Sequence, residues 1–79
     1  MKKKDVIQEL KKALKADYTV SEELMTAAKL LIQKVIKQEF WIAGWWLSDD
    51  NEEEVEVKIY FGENPFGIII NLNAIEDER

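Results

Sequence analysis

Near residue 39 the apolar pattern of this chain changes period, and that switch constrains the fold more than any other feature. Up to residue 38, apolar side chains recur at three- and four-residue spacing, as on one face of a helix; beyond it they alternate or run together, as in strands. In residues 5–16, Val6, Ile7, Leu10, Ala13 and Leu14 share a face, with Lys11, Lys12 and Lys15 on the other side and in the last turn, where cations suit the helix dipole. The segment Asp17-Tyr18-Thr19 breaks this helix. Thr19 with Glu22 three residues later matches a capping box, which predicts a second helix starting at Thr19, with Ser21 as the fallback cap. That helix is expected to reach about Gln38, with a wide stripe of Leu24, Met25, Ala28, Leu31, Ile32, Val35 and Ile36, widened further by Ala27 and Leu30.

Three strands are expected after the switch. Residues 40–47 are aromatic and apolar, and residues 54–61 alternate cleanly. Residues 68–72 form the third, and residues 74–79 are a charged tail. Turn-forming residues separate them: Ser48 to Glu52, then Gly62 to Gly67 with Pro65 as punctuation. Short connections favour an antiparallel meander. The fold class is therefore α+β, a two-layer sandwich of order α-α-β-β-β, with two N-terminal helices on one face of a three-stranded sheet. Residues 1–79 read as one domain, with 1–4 and 76–79 frayed.

Composition removes much chemistry. The 79 residues contain no Cys and no His, so there is no disulfide, no thiolate site and neither the commonest general base nor the commonest metal ligand. Ser21 and Ser48 have no His to activate them, and nothing marks one Lys as the desolvated base of a Ser-Lys arrangement. Asp49, Asn51 and Glu53 alternate like the opening of a calcium loop, but Glu54 stands where that loop needs Gly and strand alternation follows at Val55. Gly62 and Gly67 bracket a turn, not a phosphate cradle. No catalytic residue, cofactor, metal or small-molecule ligand is expected, and the chain reads as a non-enzyme. No stretch approaches a membrane span, and the Met1-Lys2-Lys3-Lys4 start is followed by polar residues, unlike a signal peptide. A soluble, cytoplasmic protein is the expectation.

Charge is divided unevenly. Residues 1–38 carry nine Lys and five acids, residues 39–79 one Lys, one Arg and eleven acids, within a net charge of −5. A helix pair followed by a hairpin resembles the order of a winged helix, with Lys29, Lys34 and Lys37 available for phosphates. The hairpin is acidic and a third helix is missing, so direct nucleic-acid binding is not expected. The acidic patch Asp49, Asp50, Glu52, Glu53 and Glu54 suggests the converse, an inhibitor from a phage or mobile element that mimics nucleic acid; the bland alternative is a solvated turn.

The first strand carries the sharpest problem. Its two parities, Trp41-Ala43-Trp45-Leu47 and Phe40-Ile42-Gly44-Trp46, are both apolar, yet two helices cover one face of a sheet. Some aromatics should lie on the open face near Tyr60 and Ile69, unless a bulge at Gly44 turns both Trp45 and Trp46 inward or the tail folds over them. The candidate interface is Phe40, Trp41, Ile42, Trp45, Trp46, Tyr60 and Ile69. The leading expectation is a protein-binding or self-associating module, with a homodimer among its forms. A computationally designed protein with no natural function is an alternative, suggested by Lys/Glu-rich helices and agreement across structural levels. Adjacent Trp45 and Trp46 and a Gly-free helix connection argue against idealised design; ten Lys to one Arg and nine Ile fit a low-GC genome.

Overall fold

The computed structural model of the protein describes residues 2–63 and 66–76; Pro65 of the second turn and residues 77–79 of the charged tail lie outside them. Helix α1 spans Lys3–Lys15 and buries Val6, Ile7 and Leu10, the face set by their spacing. It ends without glycine. Asp17 takes the left-handed conformation at φ 58°, and the Tyr18 N–H reaches back to the Ala13 carbonyl at 2.9 Å. A short polar side chain tolerates this conformation better than most, and the backbone bond satisfies a carbonyl of the last turn.

Helix α2 spans Glu22–Gln33, shorter at both ends than its apolar stripe predicts. Its cap is Ser21, not Thr19: the Ser21 Oγ accepts from the Leu24 N–H at 3.2 Å. Starting there leaves Val20 outside the helix and packed on the core, and puts Glu22 and Glu23 in the first turn, at the positive end of the dipole. At the other end the Lys34 and Val35 N–H groups bond to Leu31 and Ile32, a tightened last turn that stops the helix short of Gln38. The turn lets both Ile36 and Phe40 pack inward. Leu24, Ala28, Leu31 and Ile32 are buried, whereas Met25, Leu30 and Val35 are exposed, so the buried stripe is narrower than the apolar one.

Strands β1 (Trp41–Leu47), β2 (Val55–Tyr60) and β3 (Gly67–Asn71) form an antiparallel meander in the order β1-β2-β3. The α-α-β-β-β two-layer arrangement expected from periodicity is the observed one. Helix α1 packs on α2, β1 and β2. Val55, Val57 and Ile59 of the central strand are fully buried, each separated by a half-exposed polar or aromatic residue, as strict alternation requires. A 3-10 turn, Leu72–Ala74, follows β3. Leu72 and Ile75 are both buried, so the segment read as third-strand end and tail supplies two core residues.

Candidate interaction surface

Antiparallel neighbours point to the same face, so the register assigns every aromatic of β1. Ile42 pairs with Ile59, Gly44 with Lys58, Trp45 with Val57 and Leu47 with Val55. Ala43 is therefore the extra residue of a bulge between Ile42 and Gly44. The bulge joins the two sequence parities. Ile42, Trp45 and Leu47 all lie beside the buried face of β2 and pack on the core. Trp41 and Trp46 go to the open face, opposite Tyr60 and Glu56. The alternative of a bulge at Gly44 that buries both Trp45 and Trp46 is met only in part: the extra residue is Ala43, and Trp45 alone of the pair turns inward.

The seven candidate interface residues thus divide. Phe40, 5% exposed, belongs to the core and lies beneath the Lys29 ammonium, 5.8 Å from the ring centre. Ile42 and Trp45 face the helices, so these three leave the proposed surface. Trp41, Trp46, Tyr60 and Ile69 share the open face.

That face partly covers itself. The Trp41 and Tyr60 rings lie 5.6 Å apart at a 46° tilt, and the Lys58 ammonium stands 5.4 Å from the Tyr60 ring centre. Tyr60 also lies over Gly67, where an added Cβ would come within 2.8 Å of its ring. The Trp46 Nε1–H donates to the Glu56 carboxylate at 2.7 Å, satisfying the indole across the strand pair. What stays exposed is Trp41 at 48% and Ile69 at 58%, with Ile68 (41%) and Val35 (52%) on the helix side. Val35, Ile70 and Ile75 line an open groove of about 660 Å³ between the end of α2 and β3. Periodicity did not single out Val35 and Ile68 because both sit at positions that read as core.

The acidic hairpin is tied down rather than free. The Asn51 side chain accepts from the Glu53 N–H at 3.0 Å, and the Asn51 carbonyl from the Glu54 N–H at 2.9 Å. Glu53 reaches α1, where the Lys11 ammonium bonds it at 2.5 Å and Lys15 stands at 3.7 Å. The Lys11 bond and charge, with Lys15 beside them, hold the Glu53 carboxyl below its ordinary value of 4.5. The Asn71 amide donates to Glu54 at 2.7 Å, and the Asn73 side chain accepts from the Val55 N–H at 3.1 Å while donating to the Glu53 carbonyl at 3.3 Å. Asp49, Asp50 and Glu52 remain exposed at the tip. These clamps, from Lys11, Asn71 and Asn73, join residues far apart in the chain and carry no local signature.

Both serines have structural partners: Ser21 caps α2, and the buried Ser48 accepts from the Asp50 N–H at 3.3 Å. Among the described residues no group of three or more acidic side chains could hold a metal, and no helix is long and apolar enough to cross a membrane. No family model, curated protein or solved structure matches the chain.

Proposed function

We propose that the protein is a non-enzymatic binding module of the cytoplasm, acting by self-association or by holding a protein partner on the β3 side of its sheet. The observation that carries this reading is the exposure of apolar side chains on both faces there: Ile69 on the open face, Ile68 and Val35 on the helix side. Apolar clusters of this kind on a small domain mark contact surfaces. The absence of Cys suits a reducing compartment. The left-handed Asp17 and the β1 bulge favour a natural chain over an idealised design.

The test is sedimentation of wild type against the double variant Val35→Glu/Ile69→Glu, with far-UV circular dichroism to show that both fold. Concentration-dependent mass in wild type, or a discrete protein retained by wild type and not by the variant, supports the reading. A monomer that retains nothing the variant does not also retain refutes it. Exposed Asp49, Asp50 and Glu52 favour one further reading, an acidic nucleic-acid mimic of phage or mobile-element origin. It ranks second, because Lys11 and Lys15 already neutralise Glu53. A mimic requires partner binding that weakens steeply with salt.

A further inference from the structure

We infer that the partner is a second copy of this chain, joined edge to edge through β3 into a continuous six-stranded sheet. The inference rests on the binding-module reading and names its occupant. A three-stranded sheet has two edges, and edges left open invite pairing. The β1 edge is interrupted by the bulge at Ala43. The β3 edge has no such device. Its strand, Gly-Ile-Ile-Ile-Asn, holds no charge and no proline, and its register with β2 runs without a shift from Gly67↔Tyr60 to Asn71↔Glu56. Among the described residues no strand pairs with its outer side.

Ile68 and Ile69 are exposed on opposite faces of this one strand. A partner laid on either face would cover one of them, whereas an added strand continues both faces at once. The strand is also its own complement. Antiparallel pairing about Ile69 sets Ile69 against Ile69, Ile68 against Ile70 and Gly67 against Asn71, so isoleucines meet isoleucines on each face. This register keeps both helix layers on the same side, whereas a slip of one residue would exchange the faces. Moving the centre to Ile70 would set Ile69 against Asn71 and draw Leu72, already buried in its own core, into the ladder. The arrangement is two-fold and closes at a dimer. No charged pair is formed at the strand junction, so the chain's net charge of −5 opposes association only at long range. Added salt screens that repulsion, and the dimer strengthens with ionic strength.

Because the chain has no cysteine, single cysteines report the register directly. Opposed residues lie about 4.5–5.5 Å apart between Cα atoms, within disulfide reach. Chains carrying Ile68→Cys mixed with chains carrying Ile70→Cys are expected to cross-link on mild oxidation, and Ile68→Cys alone far less. Ile69→Lys places two ammonium groups at the two-fold axis and is expected to weaken the dimer on the order of 100-fold. Its exposed site leaves the monomer folded. Sedimentation should give twice the 9.3 kDa chain mass for wild type. A wild-type dimer that Val35→Glu dissociates, with no Ile68–Ile70 cross-link, overturns edge pairing but leaves the binding-module reading standing. A mass growing beyond the dimer overturns it too. A wild type that stays monomeric to about 1 mM also overturns it, and then only a foreign partner can support the module reading.

Discussion

Two glycines in the sheet make a controlled pair. At Gly67 an added Cβ would lie 2.8 Å from the Ile59 carbonyl oxygen and 2.8 and 2.9 Å from Tyr60 ring carbons. The ring can turn, but the carbonyl belongs to the central strand and cannot move without shifting the β2–β3 pair. Overpacking of this kind costs about 1–3 kcal/mol. Replacing a strand glycine by alanine returns about 0.5–1 kcal/mol, so Gly67→Ala should lose about 0–2.5 kcal/mol net, centred near about 1.2 kcal/mol. For a domain of this size the central value lowers Tm by about 5–10 °C. At Gly44 the same Cβ would meet only a Trp46 ring carbon at 3.9 Å, an ordinary contact, and the backbone is not left-handed. Gly44→Ala should therefore be neutral or stabilise by up to about 1 kcal/mol. Thermal and urea unfolding followed by far-UV circular dichroism at pH 7 measures both. The near-UV signal of Tyr60 reports whether its ring has left Gly67. A Gly67→Ala protein more stable than wild type, or a Gly44→Ala protein less stable than Gly67→Ala, would refute the packing argument.

Two further substitutions probe the helix cap and the hairpin clamp. Ser21→Ala should cost about 1 kcal/mol in urea unfolding, while Thr19→Ala should fall within about 0.5 kcal/mol of wild type; the reverse order would return the cap to Thr19. The depressed Glu53 carboxyl contributes stability that is present above its unfolded value, near 4.5, and is lost as pH falls through the lower folded value. Wild type should accordingly exceed Glu53→Gln in stability at pH 7 and converge with it in acid, and carboxyl NMR titration should place Glu53 below 4.5. High salt should narrow the difference at pH 7, because the pair is exposed.

Much of the architecture is legible in the sequence. Periodicity is a local property, so Val6, Ile7 and Leu10 declare a helix face and Val55, Val57 and Ile59 a strand face wherever the elements end up. The candidate surface was only half legible. Tyr60 and Ile69 were assigned to the open face by alternation alone, and the register placed them there. Trp45, a candidate for the surface by sequence, packs on the core instead, because one bulged residue reverses the parity of everything after it, and a bulge is fixed by the partner strand.

By itself, then, the sequence determined the order of elements, the antiparallel meander, the inward face of the central strand and the absence of Cys and His. Each follows from residue type and spacing over a few neighbours. Tertiary structure decided where α2 stops, since Ile36 and Phe40 both had to reach the core. It decided that Leu72 and Ile75 close that core. It also decided that Glu53 answers to Lys11 across 42 residues of chain, and that among the described residues no strand pairs with the outer side of β3. These depend on contacts between distant segments, whose free energy exists only once the chain has folded.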